Sequence, residues 1–499
     1  MKAKQFHLSR ARAVDGFVSM HPTHPDETQV HKAYLWTICL VATLGGFLFG
    51  YDWVVVGGAK EFYEAHFGIY GEGMELAKGW GTSSALIGCI IGAVGCSFVS
   101  DRFGRKRLLI LAGLLFAISA VGTGLAETFS QYNSFRIIGG LGMGIALNVS
   151  PLYISEMSPS RMRGMMVSVN QLSIMLGVLC AQIVNWRISL IDTAMPVDAT
   201  PEIIAGSWNG LTGWRWMFGA EAVPAVLFFV LMFFVPESAR WLMKKGRHEE
   251  ARGVFEKLGG KAYADAEVAD VASTLPKEEI GVVRFSDLIE RHVLKVLLLG
   301  VFLSFLQQWC GMNAVFYYAA DIFKAAGYNL KAMMLNIVVI GSVMVVSVFI
   351  TMALVDRVGR KSLLLFGCGV LAAVYIAIGI CFHTGVQGLP VVLLTLICVS
   401  VYSFTLAPLL WVILSEIYPN RIRGAAISIA ATAHWVANFT LTYTFPTVNK
   451  QLGMSGVFWL FAGVCIVGFL VVRRVLPETK GRTLEDIERD LYGEVVSKD

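Results

Sequence analysis

Apolar runs of about 20 residues or more recur from Leu35 to Leu476, and twelve can be counted. They lie at roughly 34–58, 80–100, 107–127, 131–154, 165–187, 214–235, 294–318, 332–355, 361–382, 389–414, 424–446 and 454–476. Each is long enough to cross a hydrocarbon core of ~30 Å as a helix. Only 15% of the 499 residues are charged, against about 25% in a soluble domain. Glycines are scattered through the runs, as in "GLLFAISAVGTG" and "IIGGLGMGIAL", and small residues let membrane helices approach closely. The expected fold class is an all-α membrane protein with twelve transmembrane helices.

The chain also repeats itself. "DRFGRK" at 101–106 returns as "DRVGRK" at 356–361, and "SEMSPSRMRG" at 155–164 returns as "SEIYPNRIRG" at 415–424. "PESARW" at 236–241 has a weaker echo in "PETKGR" at 477–482. Each motif follows the second, fourth or sixth span of its half, so six spans are duplicated in one orientation. Two pseudo-symmetric six-helix bundles are therefore expected, with a binding site near the midplane between them. The expected divisions are 1–33, an N-terminal segment; 34–236, the first bundle; 237–293, a charged helix-forming linker; 294–476, the second bundle; and 477–499, a tail. A floppy tether is the other reading of the linker.

Basic residues sort by loop. Lys2, Lys4, Arg10, Arg12 and Lys32 precede the first span, and the repeated motifs place arginines after spans 2, 4, 8 and 10. The alternate loops hold Lys60, Lys78, Lys324, Lys331 and Lys450. The positive-inside rule then puts both termini in the cytoplasm. This sorting gives the net charge of +5 a topological origin, and no nucleic-acid partner is expected. The first 32 residues lack the apolar core of a signal peptide, so span 1 is expected to stay as an uncleaved anchor. All nine cysteines fall inside spans without a CxxC pair, so no metal site or disulfide framework is indicated.

Against this background "GGFLFGYDWVVVGG", residues 45–58, holds one aspartate. A carboxylate near the centre of a membrane helix costs about 2.5–3.5 kcal/mol on insertion scales. At 1.5 Å per residue, Asp52 lies about 9 Å below the outer boundary, Arg136 of span 4 about 9 Å, and Glu221 of span 6 about 10 Å. Three ionisable groups on three helices thus share a level. Intramembrane ionisable residues mark ion and proton pathways, so proton binding at Asp52, partnered by Arg136 and Glu221, is expected; a static buried pair is the alternative.

A neutral ligand suits the remaining polar residues of the core. Span 7 carries "QQWCGMNAVFYY", with Gln307, Gln308 and Asn313; span 5 offers Gln171; span 11 has His434, Trp435 and Asn438; and Trp411 follows Pro408 in span 10. Amides donate to and accept from hydroxyls, while indole faces stack on the C–H face of a sugar. Interhelical hydrogen bonding is the alternative for any single amide. For His434, packing, ligand contact and a pH-sensitive role all stay open. At the cytoplasmic end Asp101 with Arg105, and Asp356 with Arg360, can pair across short loops. Glu156 and Glu416 can accept those arginines or Arg163 and Arg423. A gate that latches the halves in the outward-facing state is expected there, also involving Arg102 and Arg357; topological charge with lipid contact is the other reading.

The ordered set "GFLFGYD", "DRFGRK", "RIIGGLGMG", "PLYISEMSPSRMRG", "PESARWL", "QQWCGMNAVFYY", "DRVGRK", "WVILSEIYPNRIRG" and "PETKGRTLEDIE" resembles the sugar porter family of the major facilitator superfamily, over about residues 35–490. The resemblance implies intracellular helices in the linker and alternating access by rocking of the halves. By position, Asp52 matches the family's protonatable aspartate, Arg136 its partner and Glu221 the sixth-helix glutamate. Gln171, Gln307, Gln308, Asn313, Tyr317, Trp411 and Trp435 match sugar-contacting positions, and Phe49 an aromatic near the site. The chain departs from the pattern of the family's xylose carriers at Val178 and His434, each in place of glutamine, and from many members at Met344, in place of asparagine. The identity of the sugar therefore stays open between D-xylose and a related pentose or hexose.

The function expected is proton-coupled monosaccharide symport in the inner (plasma) membrane. The alternatives are a facilitative uniporter and a non-transporting sensor, which would carry a long signalling tail. Sugar, proton and bilayer are the expected partners of a monomeric chain with no cofactor and no metal. No enzymatic nucleophile–base motif is found.

Overall fold

In the computed structural model residues 30–480 are described, except 193–195, 197–198, 279–289 and 419–421. The side chains of 97, 98, 274–278, 291, 292 and 352–357 also lie outside the described residues. Eleven continuous helical segments are long and apolar enough to cross a membrane. The last of these, Arg423–Val475, spans 53 residues and breaks at Gly453, where φ is 68° and ψ 169°. A positive φ costs glycine little, so the chain turns there and the segment supplies two crossings rather than one. Twelve crossings result among the described residues, and the fold is the all-α membrane architecture expected.

Residues 30–37 and 237–278 form one compact unit. Within it the helices Ala239–Lys244 and His248–Glu278 carry the linker, the second kinked at Gly260. Ser238 caps the first by accepting from the backbone N–H of Trp241 at 3.2 Å. His31 N–H donates to the carbonyl of Leu258 at 2.7 Å, which ties the start of span 1 to the linker. Both six-span halves belong to the other unit, residues 38–236 and 290–480.

Small residues decide how closely spans 2 and 4 approach. Gly88 and Gly92 on Glu75–Phe103 face Gly140 and Gly144 on Phe129–Met157. A Cβ at Gly88 would stand 2.0 Å from the Ile137 carbonyl oxygen, and one at Gly140 would stand 1.9 Å from that of Ala85. Each helix backbone therefore occupies the space a side chain would take on the other. Arg136 sits one turn before Gly140, so this packing also sets its depth.

Three spans are interrupted, and each interruption has a local cause. Span 7 runs Arg291–Trp309, Met312–Tyr317 and Ala319–Ala325, with Gly311 left-handed at φ 91°. A Cβ at Gly311 would meet the Phe461 ring at 2.3 Å, so both the conformation and the space require glycine. Span 10 divides into Leu389–Phe404 and Leu406–Ile417 at Thr405, because Pro408 removes the N–H that Phe404 would have bonded. In span 6, Pro224 acts likewise on Ala220, and Glu221 falls between Trp214–Gly219 and Ala222–Leu231.

Replacing Gly88 by valine is expected to destabilise the protein by about 1–3 kcal/mol through forced separation of spans 2 and 4. A thermal unfolding scan in detergent checks this; a transition temperature equal to the parent's would refute the close-packing account.

Candidate functional site

Span 1 is the helix Lys32–His66, and it brings Asp52 against Arg136 of span 4. Asp52 is 0% and Arg136 2% exposed. Arg136 Nη1 donates to Asp52 Oδ1, and its Nη2 donates to the Asp52 backbone carbonyl at 3.2 Å. The Phe218 ring of span 6 lies 5.2 Å from the guanidinium carbon and covers it. Glu221, 2% exposed, is close enough to both to interact electrostatically. Three polar atoms of this group have no hydrogen-bond partner: Asp52 Oδ2, Arg136 Nε and Glu221 Oε1. Two carboxylates thus lie within electrostatic reach of one guanidinium, and each has a buried oxygen without a hydrogen-bond partner.

The amides cluster at the break in span 7. Gln308 Nε2 donates to Gln307 Oε1 at 2.6 Å and lies 2.8 Å from His434 Nε2, while Asn313 Nδ2 donates to Gln308 Oε1. Asn313 Oδ1 is buried without a partner. Tyr317 is buried beside Asn438 of span 11, which accepts from Thr442 Oγ1 at 3.2 Å. Around the amides runs a chain of rings drawn from both halves. Trp411 lies 5.3 Å from His434, which lies 5.3 Å from Trp435, and Phe49 of span 1 meets Trp435 edge-on at 6.2 Å. Phe49 stacks on Trp53 at 6.2 Å, and Trp53 meets Phe316 at 5.2 Å. Gln171 is exposed and Trp411 is 38% exposed. Val178 and Met344 are buried apolar residues.

Trp53 and Phe316 were not singled out from the sequence. Trp53 follows Asp52 directly and stands four residues after Phe49, which places both rings on one helix face. That spacing was a usable signal. Phe316 shows no feature that separates it from the other apolar residues of span 7.

The repeated basic motifs form ion pairs within each half. Arg105 Nη1 pairs with Asp101 at 3.1 Å and its Nη2 with Glu156 at 2.9 Å. Arg360 Nε pairs with Glu416 at 3.2 Å. Arg163 Nε donates to the Ser155 carbonyl and Arg423 Nε to that of Tyr418, each at 3.1 Å, while Arg102 is exposed. The side chains of Asp356 and Arg357 lie outside the described residues. These bonds join helices of one half: Arg105 at the start of span 3 braces spans 2 and 4, and Arg360 at the start of span 9 braces span 10. Glu478 of the "PET" motif caps the helix Arg360–Thr384 from outside, accepting from Arg360 N at 2.9 Å and Ser362 N at 3.4 Å. Burial pushes its carboxyl up, but donors from the backbone of Lys480, Arg360, Ser362 and Lys361 outweigh it and hold it below the usual range.

Among the described residues, ion pairs cross between the halves at the opposite end. Span 1 continues past Gly58 to His66, so Lys60, which reads from the sequence as a loop cation, is on the helix and 2% exposed. It pairs with Asp321 of span 7 at 2.8 Å and with Glu64 at 3.3 Å. Lys324 pairs with Glu61 at 2.9 Å and Lys450 with Glu75 at 2.8 Å. A buried lysine is tolerable only with such partners, and Asp321 lies 261 residues away in the chain.

A two-bundle fold with a buried carboxylate–guanidinium pair and a cluster of buried amides at broken helices defines a multi-pass membrane transporter. The family model for sugar (and other) transporters matches residues 38–491, and the chain belongs to that family. The D-xylose–proton symporter of Escherichia coli K12 is 36% identical over 489 residues, covering 92% of this chain and 96% of its own. The arabinose–proton symporter of Bacillus subtilis is 34% identical, with 94% and 98% covered. A solved inward-open conformation of the E. coli xylose transporter superimposes with a TM-score of 0.79 at 34% identity, covering 92% of this chain and all of that one.

Lys60→Met removes the central cation of the crossing pairs and is expected to open that end. Spin labels at the exposed positions Glu72 and Lys331 would then show a longer-distance population; an unchanged distribution would mean the pair does not hold the halves together. For Glu478, the depressed carboxyl contributes stability above the ordinary carboxylate pKa, and this contribution fades as pH falls through its lowered value. The stability difference between the parent and Glu478→Ala should accordingly be full at pH 7 and shrink below about pH 4, as read by unfolding scans across pH.

Proposed function

We propose that this chain is a proton-coupled monosaccharide symporter that works by alternating access. It takes D-xylose or a related pentose or hexose across the inner (plasma) membrane as a monomer, with both termini cytoplasmic. The observation that carries the reading is the buried Asp52–Arg136 pair with its open carboxylate oxygen, on the same helix as Phe49 and Trp53. Proton site and sugar pocket thus share one rigid element. The names of the relatives, xylose–proton and arabinose–proton symporters, support the same reading.

The physical sequence follows from the charges. While Asp52 is ionised, Arg136 holds span 1 through Oδ1 and the backbone carbonyl. A proton on Asp52 removes the charge that Arg136 balances, and Glu221 is the remaining carboxylate on which that guanidinium can settle. Span 1 is then held less tightly, and Phe49 and Trp53 can shift against Trp435 and Phe316 as the sugar is enclosed. The amides of Gln307 and Asn313, held by Gln308 between them, supply hydroxyl partners with Gln171 and Tyr317, and Trp411 and Trp435 supply stacking faces. Ion pairs of Lys60 and Lys324 across the halves belong to the state closed towards the outside. The braces of Arg105 with Asp101 and Glu156, and of Arg360 with Glu416, serve together with Arg102, Arg163, Asp356, Arg357 and Arg423 as the cytoplasmic gate, the braces keeping each bundle rigid while it rocks.

Proteoliposomes test the reading. An imposed inward proton gradient should drive labelled sugar above equilibrium in the parent protein. Asp52→Asn should abolish that accumulation while sugar exchange persists within about threefold. Equilibration without accumulation in the parent would identify a uniporter, and loss of exchange in a folded Asp52→Asn protein would assign the pair a structural role. Competition by a panel of pentoses, hexoses and sugar acids identifies the substrate.

A further inference from the structure

We infer that His434 is a positioning residue of the sugar site, whose ring nitrogen orients the amide of Gln308. The inference rests on the symport reading above and concerns how its pocket is built. Gln308 is 2% exposed and its amide is surrounded on both sides. Its oxygen accepts from Asn313 Nδ2, and its nitrogen donates to Gln307 Oε1 at 2.6 Å. One N–H remains, and it faces the imidazole of His434, with Nε2 at 2.8 Å and Nδ1 at 3.2 Å. An amide nitrogen is a donor only, so the ring nitrogen that takes this N–H accepts and carries a lone pair, as one of the two does in a neutral imidazole. The rings of Trp411 and Trp435 pack against the imidazole and hold it in place.

The consequence is a division of labour among the three amides. Both N–H groups of Gln308 are engaged inside the protein, so this side chain works as a bracket. It holds the oxygen of Gln307, leaving the Gln307 NH2 free to donate, and it holds the nitrogen of Asn313, leaving Oδ1 unpartnered. A donor from Gln307 and an acceptor from Asn313 suit a sugar hydroxyl pair. Without the nitrogen of His434, the Gln308 amide can rotate by half a turn, and both neighbours lose their assigned polarity. The role asks for an acceptor at position 434, not for a proton carrier.

The test uses the full-length protein in proteoliposomes, with sugar exchange measured without a proton gradient. His434→Phe keeps an aromatic ring and removes the acceptor; its KM for sugar should rise about five- to tenfold at unchanged maximal rate. His434→Gln restores an acceptor and should return KM to within about twofold of the parent. In a Gln308→Ala background the His434→Phe change should have no further effect. Equal KM values for the parent and His434→Phe, equal losses in the Phe and Gln variants, or additive losses in the double variant would each overturn the assignment. A parent that transports no sugar would instead overturn the symport reading. Should His434→Phe fail to fold, the Gln308→Ala and His434→Gln proteins still decide the matter. A bracket requires Gln308→Ala to raise KM at least as much as predicted for the phenylalanine.

Discussion

The carboxylate of Asp52 and the guanidinium of Arg136 make each other's burial possible. Either alone in this medium would cost several kcal/mol, and removal of one partner from a buried pair typically costs about 3–5 kcal/mol. The pair therefore ties spans 1 and 4 together while both are charged. A neutralised Asp52 relaxes that tie, and the second acid, Glu221, provides an alternative partner within the same enclosure. On the proposed reading, a bond that fixes a conformation and is undone when a proton reaches Asp52 is the combination a coupled carrier requires.

Helix interruptions supply the second half of the machinery. Backbone groups released within a membrane must be satisfied by protein, so breaks are tolerated only where they line an enclosed site. Gly311 and Thr405 interrupt spans 7 and 10 near the amides and indoles, and Pro224 disturbs span 6 at Glu221. Polar side chains gather at those breaks. Continuity is preserved elsewhere, above all where the glycines of spans 2 and 4 interlock, and that region carries Arg136 as a fixed anchor.

The two ends of the molecule are held by different bonds. At the basic end arginine–carboxylate pairs bind helices within one half, and Glu478 fastens the chain after the last span onto the start of the helix Arg360–Thr384. At the other end Lys60, Lys324 and Lys450 each pair with an acid of the opposite half. Rigid bundles that separate at one end need bonds of the first kind throughout the cycle. Bonds of the second kind hold in one state and open in the other. The sequence suggested a latch between the halves in the repeated motifs; among the described residues, ion pairs across the halves are formed by Lys60, Lys324 and Lys450, which lie outside those motifs.

Twelve crossings, the duplication and the sorting of arginines were legible in the chain because they depend on local composition: a run of apolar residues must lie in lipid whatever its neighbours do. Asp52, Arg136 and Glu221 were legible too, since a charge inside such a run is conspicuous by its cost. Lys60 was not, because its burial depends on an acid 261 residues away, and without that partner a lysine at a helix end belongs in water. Nor could the chain reveal that Gln308 is consumed by its neighbours, or that Trp53 and Phe316 complete the ring arc. Amides and aromatic rings are chemically alike in isolation; only packing between distant helices decides which of their atoms stay free to meet a ligand.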